Sequence, residues 1–196
     1  IEIVVVNDGS TDQTLKVLEK YEETHPCIRV ISQSNARQGA ARNNGILNAR
    51  GNYITFLDAD DVLPRDAISE LFSSAIRENT NLAIGIVASC QQGGKNQRIN
   101  QSYYHYAFCP SVSIPEEWRH VFQDPSCVGK LYKREFLIEN SLFFPQSYHE
   151  DQAFCFSLFS NNQRFSVVKK IVYFYVARPI GQEKSGTQTF SSEKFR

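Results

Sequence analysis

Asp58, Asp60 and Asp61 close the apolar run Tyr53-Ile-Thr-Phe-Leu57, so that three carboxylates crowd the exit of one strand. Like charges held this closely repel, and a divalent cation or a ring of hydroxyls offsets the repulsion. Alternate residues of an extended segment point the same way, which lets Asp58 and Asp60 share a metal or divide between a metal and a sugar hydroxyl. Carboxylates without a His or Cys cluster beside them favour a hard ion, Mg²⁺ or Mn²⁺. The bland alternative is that Asp60, Asp61 and Asp66 only begin the next helix. A further carboxylate, Asp8, follows the apolar run at residues 1–6 within Asn7-Asp-Gly-Ser10, where it can equally be a turn residue. Glu150 and Asp151 stand side by side after His149 at the start of a helical pattern. Such a pair can supply a general base or merely complement a helix dipole.

The pattern of apolar residues supplies a scaffold for these side chains. Residues 1–6 read as a buried parallel strand. Ser10-x-x-Gln13 reads as a capping box opening a helix in which Leu15, Val17, Leu18 and Tyr21 recur at helical spacing. A strand at 28–32, a helix at 39–49 with Ala40, Ile46 and Leu47 turned inward, and a strand at 53–57 give a βαβαβ order. A helix to about residue 79 and an apolar strand at 82–88 extend it. This alternation predicts an α/β fold with a mostly parallel central sheet flanked by helices. Ligands gather at the carboxyl ends of such strands, so Asp8 and Asp58 are expected to face one crevice.

Past residue 89 the pattern loosens into a smaller mixed region. A polar turn spans 91–96, and the aromatic run at 103–108 fits strand or loop equally. Short helices are expected at 115–122 and 134–140, a longer one at 150–160 with Phe154, Leu158 and Phe159 in its stripe, and a strand at 166–175. The tail from 179 is polar and reads as mobile.

With 196 residues, 41% of them hydrophobic, the chain can bury one sizeable core. Its 21 basic and 21 acidic residues cancel, so no field of one sign argues for nucleic acid or an anionic membrane. An anionic ligand needs a local site. No window approaches the roughly 20 apolar residues of a membrane helix. Cys27, Cys90, Cys109, Cys127 and Cys155 show no Cys-x-x-Cys spacing and read as reduced, mostly buried thiols of a cytosolic protein. The lack of Met and the opening inside a strand suggest that an N-terminal segment lies outside this sequence.

The runs Val5-Val-Asn-Asp-Gly-Ser-Thr-Asp12, Gly39-Ala-Ala-Arg-Asn-Asn-Gly45, Gly51-Asn-Tyr-Ile-Thr-Phe-Leu-Asp-Ala-Asp-Asp61 and His149-Glu-Asp151 stand in the order and approximate spacing of one family. The chain resembles the inverting family 2 glycosyltransferases of the GT-A fold, strongly over 1–88 and traceably through Lys130-Leu-Tyr-Lys-Arg-Glu-Phe136 to Tyr175. The resemblance implies a donor-binding half at 1–88 and an acceptor-side half carrying the base at 89–178. Asp8 would then accept a hydrogen bond from the nucleotide base, with Arg42 beside the base or diphosphate. Asp58 would contact ribose or sugar, Asp60 would bind a Mn²⁺ or Mg²⁺ ion bridging the diphosphate, and Asp151 would be the catalytic base. His149 could be a metal or phosphate contact or simply structural. Tyr173, Tyr175, Arg178, Lys184 and Ser185 fall where related enzymes close over the donor. Tyr103, Tyr104, Tyr106, Phe108 and Trp118 could stack on acceptor sugars, with core packing the alternative.

The family's first strand and helix are absent before Ile1, and so is the Gln-x-x-Arg-Trp motif of its processive synthases. The expected activity is non-processive transfer from a nucleotide-sugar, a uridine one, to a glycan or lipid-linked acceptor in surface polysaccharide or glycan biosynthesis. The expected location is the cytoplasm, with peripheral association at the inner face of the cell membrane left open. Two other readings compete. A haloacid dehalogenase-like phosphatase also carries Asp-x-Asp after a strand, but its nucleophile belongs on the first strand and Asn7-Asp-Gly-Ser10 would go unexplained. A nucleotide-sugar or glycan-binding domain without turnover is the other.

Overall fold

The computed structural model describes residues 1–91, 95–99, 106, 109–113, 126–161 and 164–177. The expected helix at 115–122, Tyr103, Tyr104, Phe108, Trp118, Arg178, Lys184, Ser185 and the polar tail lie outside the described residues.

β-branched side chains favour strands, and β1 (Ile3–Asp8) pairs in parallel with β2 (Ile28–Gln33), from Ile3 opposite Ile28 to Asp8 opposite Gln33. The connecting helix α1 (Thr14–Thr24) does not use the expected capping box. Gly9, at φ +72°, turns the chain in the left-handed region, and the Ser10 N–H donates back to Asn7 Oδ1 at 3.3 Å. Ser10 thus belongs to the turn. Asp12 Oδ1 instead accepts the Thr14 N–H at 2.9 Å. The expectation of a buried first strand also needs correction, because its aliphatic residues are half-buried or exposed and α1 buries no side chain.

α2 (Arg37–Asn48) buries Gly39, Arg42 and Ile46, one face at successive turns. Leu47, expected inward, is 58% exposed, because it lies about 100° round the helix from Ile46. β3 is only Tyr53–Ile54, and the chain leaves the ladder before Asp58. α3 (Ala67–Glu78) starts after Asp66, whose side chain makes no capping bond.

β3 opens a six-stranded sheet ordered β3-β7-β4-β8-β6, with β5 on the far end of β4. β4 (Leu82–Gln91) and β8 (Phe165–Ala177) are its parallel centre. β7 (Lys130–Lys133) runs antiparallel between β3 and β4. β5 (Lys95–Ile99) and β6 (Val112–Ser113) are antiparallel to β4 and β8. β3, β4 and β8 therefore share one direction, and the antiparallel ladders all come from strands of the second half. With α4 (Arg134–Glu139) and α5 (Glu150–Asn161) added, the molecule is an α/β fold with a sheet flanked by helices. Leu71 and Ala75 of α3, Leu82 and Ile84 of β4, Phe154 and Leu158 of α5 and Val172 of β8 belong to one core.

Candidate active site

The site centres on a buried cation. Arg42 projects from the inner face of α2 with its side chain 8% exposed, and its Nη2 donates to Asp58 Oδ1 at 2.8 Å. Nη1 donates to Asp151 Oδ1 and lies 3.5 Å from Glu150 Oε1. The guanidinium also lies over the Phe144 ring, 5.3 Å from its centroid. Burial disfavours the charged form, but the carboxylates of Asp151 and Asp58 outweigh it and raise the guanidinium above its ordinary value. Arg42 stays charged.

The carboxylates around it keep contact with solvent, Asp58 at 31% and Asp151 at 26% exposed. Asp151 sits in the first turn of α5, where backbone N–H groups favour an anion. Its Oδ2 is 3.5 Å from the Cys127 backbone N–H. The Cys127 thiol is pushed up by burial and then by Asp151, so it stays protonated. His149, just before this turn, adopts φ +63°, a conformation costly for a non-glycine residue.

Asp8 anchors the other side. Its Oδ1 accepts from Gln33 Nε2 and from the Ala36 backbone N–H, each at 2.8 Å, and so fastens the β2–α2 connection to the end of β1. From the first turn of α2, Gln38 Nε2 reaches Asp58 Oδ1 at 3.0 Å. Asp8, Arg42, Asp58 and Asp151 are thereby joined through the start of α2. Asp60 is exposed, two residues beyond Asp58.

Asp61 faces the opposite way, into β8. Its Oδ1 accepts the Val176 N–H at 2.8 Å and its Oδ2 accepts the Tyr173 hydroxyl at 2.6 Å. The same hydroxyl accepts the Asp58 N–H at 3.2 Å. Burial raises Asp61 above the usual carboxylate range despite those two donors, and burial together with Asp61 raises Tyr173. Asp66 makes no side-chain capping bond to α3, and Asp61 bonds to β8 instead. Asp61 is a tie between the strand end and β8.

No three His, Cys, Asp or Glu among the described residues converge to hold an ion. This donor set does not fit a metal caged by protein alone. It fits a hard ion held by one or two carboxylates and completed by phosphate oxygens and water. Asp60, the residue the resemblance implies for that role, is exposed two residues beyond Asp58.

Gln38, Gly39, Asn43 and Cys127 were not among the residues singled out for the site. Gln38 and Arg42 stand at i and i+4, a spacing legible in the sequence as one helical face. Gly39 is explained by a neighbour, since a Cβ there would lie 3.1 Å from Glu150 Cγ and 3.2 Å from Phe144 Cβ. Nothing local could have pointed to Cys127, whose part is played by its backbone.

A family model described as Glycosyl transferase family 2 matches residues 1–140. Glycosyltransferase GlyA of Streptococcus pneumoniae serotype 4 is 32% identical over 186 residues, which are 91% of this chain and 26% of that protein. The poly(ribitol-phosphate) beta-N-acetylglucosaminyltransferase TarS of Staphylococcus aureus is 25% identical over 187 residues, 94% of this chain and 31% of TarS. The chain thus spans about a quarter to a third of the length of these relatives. The crystal structure of S. aureus TarS in complex with UDP-GlcNAc matches with a TM-score of 0.77 at 25% identity, covering 97% of this chain and 53% of that one. Mannosyltransferase PcManGT from Pyrobaculum calidifontis shares the fold, with a TM-score of 0.65 at 20% identity.

Proposed function

The chain belongs to glycosyltransferase family 2, and from that premise we propose that it moves a sugar from a uridine diphosphate donor to a hydroxyl of a glycan or lipid-linked acceptor, non-processively and with inversion. The observation that carries this reading is the join through Arg42 of a carboxylate in the segment after β3, Asp58, to one at a helix start, Asp151. The likeness to TarS, a β-N-acetylglucosaminyltransferase by name and seen with UDP-GlcNAc, favours a UDP-sugar and an N-acetylhexosaminyl or hexosyl group. No described helix is long and apolar enough to cross a membrane, which is compatible with work at the inner membrane face. The family match leaves the phosphatase alternative without support.

In this reading Asp8 accepts a hydrogen bond from the nucleotide base and Asp58 one from a ribose or sugar hydroxyl. Asp151 takes the proton of the acceptor hydroxyl as its oxygen attacks the anomeric carbon opposite the leaving group. The bond to the diphosphate oxygen breaks, and its electron pair leaves with the nucleoside diphosphate. Asp60 would hold a Mn²⁺ or Mg²⁺ ion, which when bound stabilises the negative charge of that leaving group.

Asp151→Asn tests the reading. Transfer from a UDP-sugar should fall at least about 100-fold, while UDP affinity in Mn²⁺, read by calorimetry, is kept. Unchanged turnover would remove Asp151 as the base. A parent protein that binds UDP but transfers no sugar in any donor and acceptor panel would favour a binding domain instead.

A further inference from the structure

The resemblance alone puts Arg42 beside the nucleotide base or the diphosphate, and the geometry points elsewhere. Resting on Asp151 as the base, we propose that Arg42 is a positioning residue that holds Asp58 and Asp151 on one guanidinium, and does not bind the donor. The two terminal nitrogens divide between the halves of the site, Nη2 to Asp58 and Nη1 to Asp151 and Glu150. The planar fork of an arginine suits such a split, and a lysine point charge does not. Turning Arg42 toward a diphosphate would leave these partly buried carboxylates without their cation, which is costly.

The surrounding contacts hold the guanidinium in this place. Asn43 Nδ2 donates to Phe144 O and Asn43 Oδ1 accepts the Phe144 N–H, each at 2.8 Å, so a reciprocal pair of bonds registers α2 against the segment leading to α5. Gly39, one turn before Arg42, leaves room for Glu150 Cγ at the same junction. Arg37 stacks on Tyr148 at 4.6 Å, a third contact between the start of α2 and the approach to α5. Arg42 thus leaves a helix face whose distance from α5 is set by its neighbours on both sides. A donor that shifts Asp58 moves a group sharing its cation with the base, so donor binding and base placement are coupled through this single residue.

The test uses Arg42→Met and Arg42→Lys in the full chain. In Arg42→Met, kcat should fall about 100-fold, the scale of an ångström-level misplacement of a catalytic group. UDP affinity in Mn²⁺ should stay within about threefold. Arg42→Lys keeps the charge, is expected to fold even if Arg42→Met does not, and should show the same split with a smaller loss of kcat. Adding Arg42→Met to Asp151→Asn should cost little further, since the group it positions is gone. Loss of UDP affinity with kcat kept would make Arg42 a donor contact and overturn the proposal. A crystal structure of Arg42→Lys decides even if the parent proves inactive. Asp151 should part from Asp58, and finding both carboxylates in their parental places would equally overturn it.

Discussion

Asp60 and Asp58 are two residues apart in the segment after β3, and the proposed function gives them different work. Asp58 Oδ1 accepts from Arg42 and Gln38, and Asp60 is exposed. A single exposed carboxylate binds a divalent ion weakly, and phosphate oxygens must complete the shell. Mn²⁺ titrated into the protein should therefore give saturable heat only when UDP is present. Asp60→Ala should remove the Mn²⁺ dependence of UDP affinity, and equal affinity with and without Mn²⁺ in the parent would refute the metal role. Cysteine chemistry at this scale follows burial. Cys27 is exposed and Cys127 is buried, with its thiol raised by burial and by Asp151. Since only the thiolate reacts, a thiol reagent should label Cys27 in the native protein and reach Cys127 only on unfolding. Asp58 and Asp151, which the structure joins through Arg42, were legible as candidates because charged residues stand out against apolar periodicity. The contact between Asp58 and Gln38 was half legible, through the i, i+4 spacing of Gln38 and Arg42.

Among the elements, α2 sets the geometry, and Gly39 is where that can be measured. Alanine in a helix interior favours the helix by about 1 kcal/mol over glycine, whereas overpacking a closed contact costs about 1–3 kcal/mol. Gly39→Ala should therefore lower the melting temperature only slightly, because the two effects largely oppose. It should lower kcat far more, since its Cβ would press on Glu150 Cγ and Phe144 Cβ beside the base. A melting curve and a rate on one sample check both. β8 supplies the second support, through the hydroxyl of Tyr173 shared by Asp58 and Asp61. Tyr173→Phe leaves the half-buried Asp61 short of one donor and should cost about 1–3 kcal/mol in denaturant unfolding. α2 and α3 were readable from periodicity, but the start of α1 was not. Ser10-x-x-Gln13 satisfies the capping pattern, while Gly9 in the left-handed region spends Ser10 on the turn before the helix begins.

At the scale of the whole molecule, stability is unevenly distributed. β4 and β8 lie in the core with α3 and α5, whereas β1 and β2 form their own two-stranded sheet, joined by α1, which has no fully buried residue. Native-state hydrogen exchange should be slowest in β4 and β8 and markedly faster in β1, β2 and α1. Comparable protection in both regions would contradict that division. The α/β class was legible because alternating apolar runs carry the periods of strand and helix locally. The mixed ladders were not, because the direction in which β7 enters between β3 and β4 depends on pairing over long separations. The sequence by itself determined the family and the order of the elements as far as β4, since each is written in short-range spacing, whereas β5, β6 and β7 were not read from it. Only the tertiary structure decided what Arg42 touches. Its partners lie 16 and 109 residues away, and they meet on one guanidinium only because Gly39 and Asn43 bring α2 against the approach to α5.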